Sequence, residues 1–165
     1  MSSDSNDRTP RPDDPHARVK AVLAGERAAD SLGDLTHEEL HFIADRGDEL
    51  FAAGQVEGAL QVFELLVRLQ PDEYLFQTRV GAARQAVGRF EDAITAYDEA
   101  LRLNQWEVTA ATNRAAALIQ LGRYEDAEDN LARVLRMDPE GRHPHTARAR
   151  DLSARLAAAK PPKKL

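Results

Sequence analysis

The chain has 165 residues, 28 acidic and 22 basic, for a formal charge of −6 with histidine neutral. It lacks cysteine, which excludes disulfide frameworks, thiolate zinc sites, iron–sulfur clusters and a cysteine nucleophile. Aromatic residues make up 5%, so a core must rest on aliphatic side chains and alanine, a composition that favours helices.

The acidic balance argues against a dedicated nucleic-acid binder. No apolar run approaches the ~20 residues needed to span a bilayer, and Met1–Asp14 has no apolar stretch of the kind found in secretory signals. The expectation is a soluble, cytoplasmic, all-α protein that does not insert into membranes. Charge is unevenly spread: residues 40–141 carry 18 acidic and 10 basic side chains, a net of −8, whereas residues 142–165 carry 1 acidic and 7 basic, a net of +6.

In chain order, residues 1–13 are rich in Ser, Asp and Pro and read as a disordered tail. Asp14-Pro15 reads as an N-cap followed by proline at the first helical position. It opens an N-terminal segment, 14–35, whose helix is expected from about His16 to Ala29, with Val19, Val22 and Leu23 as its apolar stripe. Thr36-His37-Glu38-Glu39 fits a capping box for the next helix.

From there the chain repeats. Gly54, Gly88 and Gly122 are 34 residues apart, as are Ala59, Ala93 and Ala127, and Phe63, Tyr97 and Leu131. Val56, Phe90 and Tyr124 hold the same phase, as do Gly47, Gly81 and Ala115. Pro71 and Pro139 lie two periods apart. The strings Gly88-Arg89-Phe90-Glu91-Asp92-Ala93 and Gly122-Arg123-Tyr124-Glu125-Asp126-Ala127 are nearly identical.

Each column has a physical reason. Small residues at 47, 81 and 115 and at 59, 93 and 127 let paired helices approach closely. Glycines at 54, 88 and 122 suit a left-handed C-cap where the first helix of each pair stops. The rings or leucine at 63, 97 and 131 are expected to fill the space between one repeat and the next. Pro71 and Pro139 end the second helix of their repeats.

The pattern resembles the tetratricopeptide repeat, a 34-residue helix–turn–helix unit that stacks into a superhelix. Within the repeat region, 36–141, the repeats fall at 40–73, 74–107 and 108–141. Such an α-solenoid needs covered ends. Residues 142–159, opening at Pro144 with Leu152 and Leu156 four apart, read as a C-terminal capping helix, and 160–165 as a basic tail.

His37-Glu38-Glu39-Leu40-His41 satisfies H-E-x-x-H, in which two histidines share a helix face around a metal. The motif finds no third ligand in a matching downstream pattern, and Thr36 and Glu39 are already explained as a cap. No metal and no cofactor are assigned. Phosphate-binding and nucleophile-elbow motifs are absent. Glu91-Asp92 and Glu125-Asp126 sit at helix starts, where they meet the positive end of the helix dipole. No catalytic residue is assigned, and the chain reads as a binder rather than an enzyme.

Function then falls to the concave groove lined by the first helix of each repeat. Positions 2, 5, 9 and 12 of those helices are His41, Ala44, Asp48 and Phe51; Leu75, Thr78, Ala82 and Gln85; and Thr109, Thr112, Ala116 and Ile119. Arg79 and Asn113 are placed at the groove's side, with Arg79 the one positive charge near its centre. A few apolar contacts among small and polar residues suit an extended peptide segment.

Leu35 to about Met137 further resembles the class II chaperones of bacterial type III secretion, through Leu35-Thr36-His37-Glu38-Glu39-Leu40 at the opening of the first repeat and Gly81-Ala82-Ala83-Arg84-Gln85-Ala86-Val87-Gly88 in the second. The resemblance implies a cytoplasmic chaperone that holds an extended segment of a translocator client in its groove, and a homodimer formed through the N-terminal region. This chain departs from the family by having Ala44, Asp48 and Phe51 where several rings line the groove, Ala83 where a cysteine is frequent, and Gln77 in place of an aromatic, with Phe76 beside it. The alternative is a general repeat adaptor that joins proteins without protecting any of them.

Overall fold

The computed structural model describes residues 14–24, 26 and 35–159. All regular structure among them is helical: α1 (Pro15–Leu23), α2 (His37–Ala52), α3 (Val56–Leu69), α4 (Tyr74–Ala86), α5 (Phe90–Leu103), α6 (Val108–Gln120), α7 (Tyr124–Met137) and α8 (Pro144–Ala159). Each helix packs on the next from α1 to α8, and α2 on α4, α4 on α6 and α6 on α8 also touch. That is the connectivity of stacked helix pairs. The tails expected at 1–13 and 160–165 lie outside the described residues.

The turns explain the period. Gly54, Gly88 and Gly122 have φ of 78°, 80° and 71°, a left-handed conformation that costs a residue with a Cβ about 1–2 kcal/mol. At each turn the glycine N–H donates to the carbonyl three residues back, and the following N–H donates to the carbonyl five back, as in Arg89 to Arg84 at 2.9 Å. These two bonds form a Schellman turn, which satisfies carbonyls that the end of a helix would otherwise leave open. The entering ends are capped as well. Thr36 Oγ1 accepts from Glu39 N at 3.2 Å while Thr36 N donates to Glu39 Oε2 at 2.8 Å, the reciprocal capping box. Glu73 and Glu107 cap α4 and α6 by accepting from Leu75 N and Thr109 N.

Packing within a pair rests on a small residue facing a ring. A Cβ on Gly47 would lie 2.5 Å from Phe63 Cε1, and one on Gly81 would lie 2.6 Å from Tyr97 Cε1. The rings at 63 and 97 press on the first helix of their own repeat and also share a buried cluster with the next repeat, Phe63 with Phe76 and Tyr97 with Leu118. In the third repeat the partner is the slimmer Leu131, and the facing residue has grown to Ala115; both are fully buried.

Two buried clusters follow from this packing. One gathers Leu40, Ile43, Phe63, Leu66 and Phe76, and the other Tyr97, Leu118, Leu131 and Val134. Polar staples tie the layers together. Arg114 donates to Asp98 at 2.6 Å and to Asn130 at 3.1 Å, linking α6 to both α5 and α7.

The first helix is shorter than its expected span. It stops at Leu23, with Ala24 in a turn and Glu26 in a bend. Glu26 N donates to Ala21 O at 2.8 Å, a six-to-one closure of the kind that ends a helix. Residues 27–29, the rest of the expected helix, lie outside the described residues. Val19 is 3% exposed against the first repeat, with Val22 and Leu23 partly buried beside it, so α1 closes the N-terminal end of the core.

Candidate functional site

The helices α2, α4, α6 and α8 run side by side along one face of the array. Two adjoining concavities, about 790 Å³ and about 500 Å³, lie on it and share Gln85, Gln120 and Arg148 in their linings. The smaller reaches from Phe51 past Ala82 to Asn113 and His145; the larger runs past Ala116 and Ile119 to Leu152, Arg155 and Leu156. Phe51, Ala82, Gln85, Asn113, Ala116 and Ile119, all expected in the groove, thus meet on one trough.

Other expected groove residues sit differently. Ala44 and Thr112 are 0% exposed. Position 5 of each repeat is turned into the joint between neighbouring helices, so these two are packing residues. Thr78 is buried as well, its Oγ1 donating to the Tyr74 carbonyl at 3.0 Å. His41, Leu75 and Thr109 are half-buried near the N-terminal ends of α2, α4 and α6. Arg79 is not a free cation: it donates to Asp48 at 2.9 Å and lies 3.8 Å from Asp45. This pair bridges the first and second repeats. The remaining departures have structural roles: Phe76 is wholly buried, Gln77 donates to the Pro71 carbonyl at 3.0 Å, and Ala83 is fully packed.

The cationic character of the trough comes from α8, which sequence reasoning treated only as a cap. Arg148 donates to Asn113 Oδ1 at 2.7 Å and remains largely exposed; Arg155 lies 3.6 Å from Asp151. The helix docks on both α6 and α7, as the first helix of a fourth repeat would. The signal was present in the sequence: Thr146 continues the column Thr78, Thr112, and Ala149 continues Gly81, Ala115. Both are 0% exposed. Among the described residues three helix pairs are complete, and α8 stands after the third.

Asp138 fastens this helix. Its carboxylate accepts from Thr146 Oγ1 at 2.6 Å, His143 N at 2.9 Å and Arg142 N at 3.0 Å. Those bonds, the Thr146 hydroxyl foremost, lower its pKa to about 2. On the trough wall, burial chiefly, with His143 and Arg148 nearby, holds His145 below the ordinary imidazole value. Burial pushes the Tyr97 phenol well above its usual range; its hydroxyl donates to Gln85 Oε1 at 2.9 Å. None of these groups forms a nucleophile–base pair, and the aspartate of each acid pair at a helix start is held by an arginine: Asp92 by Arg89 at 2.8 Å and Asp126 by Arg123 at 2.6 Å.

At the far end of α2 the H-E-x-x-H histidines do share a face. His37 Nε2 and His41 Nε2 are 3.0 Å apart. Glu73, from the cap of α4, approaches them with Oε2 at 3.9 Å and 4.0 Å. No downstream motif marked this residue, because it comes from the start of the adjacent helix pair through the superhelical stacking.

Comparison with known proteins agrees with the geometry. Two family models, both described as tetratricopeptide repeat, match residues 44–104 and 85–156. No curated protein sequence matches the chain. Among solved structures, the chain is similar to the type III secretion chaperone SycD of Yersinia enterocolitica in complex with a peptide of the translocator YopD. Identity is 22% and the TM-score 0.69, over 78% of this chain and 99% of that one. It is also similar to PcrH of Pseudomonas aeruginosa in complex with the chaperone binding region of PopD, at 22% identity and a TM-score of 0.72, over 78% of this chain and 98% of that one. A type III secretion complex from Aeromonas hydrophila matches at 25% identity and a TM-score of 0.71, over 86% of this chain and 96% of that one. Repeat period, helix pairing and family match converge: the chain belongs to the tetratricopeptide-repeat family, and its solenoid resembles the class II chaperones of type III secretion.

Proposed function

We propose that the chain is a non-catalytic, cytoplasmic chaperone of the type III secretion kind, holding an extended segment of a client protein in the trough formed by α2, α4, α6 and α8. The observation that carries this reading is the continuous trough itself. Apolar contacts at Phe51, Ile119 and Leu152 alternate with polar groups at Gln85, Asn113 and Arg148. Such a surface offers shallow pockets for alternate side chains and hydrogen-bonding groups for an extended backbone. The similar folds of SycD and PcrH hold segments of YopD and PopD, which supports the same use here. Among the described residues no helix is long and apolar enough to cross a membrane.

A second reading, a general adaptor, is favoured by one observation. Of the trough's lining residues α2 contributes Phe51 alone, a weaker anchor for an apolar client than several rings would give, while Asp48 on the same helix is held by Arg79. Pairing of two copies through the N-terminal helix would need an apolar stripe whose centre, Val19, is already covered by the first repeat.

The test is co-expression with the main partner captured from the native extract. A partner that aggregates alone and stays soluble with this chain supports the chaperone; a partner soluble by itself leaves the adaptor. Replacing Phe51 and Ile119 with glutamate, and separately Arg148→Glu, should abolish capture with unchanged helicity. Unchanged capture by all of these variants refutes the trough.

A further inference from the structure

We propose that His37, His41 and Glu73 form a binding site for a late first-row divalent cation of the zinc type, fastening α2 to the start of α4. The three ligand atoms lie within 4.8 Å of one another. Zinc bound at ordinary distances of about 2.0–2.2 Å to nitrogen and oxygen sets tetrahedral ligand–ligand edges of about 3.3 Å. The observed separations of 3.0, 3.9 and 4.0 Å bracket that edge, so rotamer adjustments of about 1 Å or less close the triangle. Two neutral imidazoles and one carboxylate are a donor set that zinc accepts, with a fourth position left open.

The surroundings orient these donors. His41 leans on the fully buried Phe76, ring centroids 5.2 Å apart, and His37 meets His41 edge-on at 4.4 Å. Glu73 Oε1 accepts from Leu75 N at 3.3 Å, which fixes the carboxylate while Oε2 faces the histidines. Supporting hydrogen bonds of this kind are what hold metal ligands in register. Glu39 is not available as a ligand, since its carboxylate is engaged by Thr36. The site is exposed at His37, 59% by side chain, and more covered at His41 and Glu73, 29% and 17%. An ion therefore enters from solvent and would cross-link α2 to the start of the second helix pair. Because the triad lies outside the trough's linings, the role assigned to the ion is clamping, not peptide hydrolysis, and it is independent of what the trough binds.

The experiment uses the untagged full chain, titrated with Zn²⁺ by calorimetry and with Co²⁺ by visible absorption. One equivalent should bind, Co²⁺ should give the intense bands of a four-coordinate site, and Zn²⁺ should raise the thermal midpoint. His37→Ala, His41→Ala and Glu73→Gln should each weaken binding by about tenfold or more and remove the thermal shift. The double variant His143→Ala, His145→Ala should bind as the parent does. The Glu73→Gln side chain keeps an oxygen able to cap α4, so unchanged helicity separates ligand loss from unfolding. Absence of one-equivalent binding, binding insensitive to Glu73→Gln, or loss of binding in the His143, His145 variant overturns the site.

Discussion

The ring of Tyr97 occupies the space where Gly81 would carry a side chain, with Cε1 2.6 Å from the position of a Cβ. Tyr97 is fully buried and tethered through its hydroxyl to Gln85, so it has no room to retreat. The contact makes glycine obligatory in the middle of a helix, where it is intrinsically worse than alanine by about 1 kcal/mol.

Gly81→Ala should therefore destabilise the protein by about 1–3 kcal/mol, the usual cost of overpacking, despite the better helix propensity of alanine. The third repeat shows the remedy, since Ala115 faces Leu131 there. In a Gly81→Ala, Tyr97→Leu double variant the two losses should be less than additive by about 1 kcal/mol or more. Urea unfolding of the four-member cycle measures this, and strict additivity would contradict the contact.

The turn glycine makes a different demand. Gly88 has φ of 80° with nothing within 4 Å of a would-be Cβ, so the penalty there is conformational and not steric. Gly88→Ala should cost about 1–2 kcal/mol, and Gly88→Asn less, because asparagine tolerates the left-handed region. Denaturant midpoints should shift with the slope unchanged. Equal losses for the two substitutions would show that space, not backbone angle, selects glycine.

Docking of α8 should depend on acid. The Asp138 carboxyl is lowered to about 2 by its bond from Thr146 and those from the following backbone, against about 3.9 for a free aspartate. A depressed folded-state pKa stabilises above the unfolded value, and the contribution is lost as pH falls through the folded one. The stabilising contribution of Asp138 should thus be complete above about pH 4 and vanish toward about pH 2. Comparing Asp138→Asn with the parent by circular dichroism across that window tests it; a difference that persists unchanged at about pH 2 would rule out the linkage.

Much of the fold is legible in the sequence because it is periodic. The glycine column marks the turns, Thr36 and Glu39 mark the first cap, and Asp14-Pro15 marks the start of α1, each through local backbone chemistry acting within a few residues. The column at 63, 97 and 131 is legible as filler between repeats, but a period of 34 does not say that the rings at 63 and 97 also press on Gly47 and Gly81 of their own repeat. Position 5 was misassigned to the groove at Ala44 and Thr112 because a helix face of small residues suits a close helix joint as well as an open floor.

The candidate site was less legible for the same reason. Phe51, Gln85 and Ile119 could be placed from helical spacing alone. Arg148, His145 and Leu152 could not, because they lie on α8, after the last full period. Asp48 neutralises Arg79 across 31 residues of chain, a pairing that no repeat column encodes.

The sequence by itself determined an all-helical array with a 34-residue unit, the position of its turns, and the absence of cysteine chemistry. Tertiary structure alone decided that α8 takes the place of a fourth leading helix, that Arg79 pairs with Asp48 across the first two repeats, and that Glu73 meets His37 and His41. Local bonds and periodic burial are written along the chain and survive in any window of it. The single, non-repeating contacts between neighbouring repeats exist only once stacking has set the distance and angle between them.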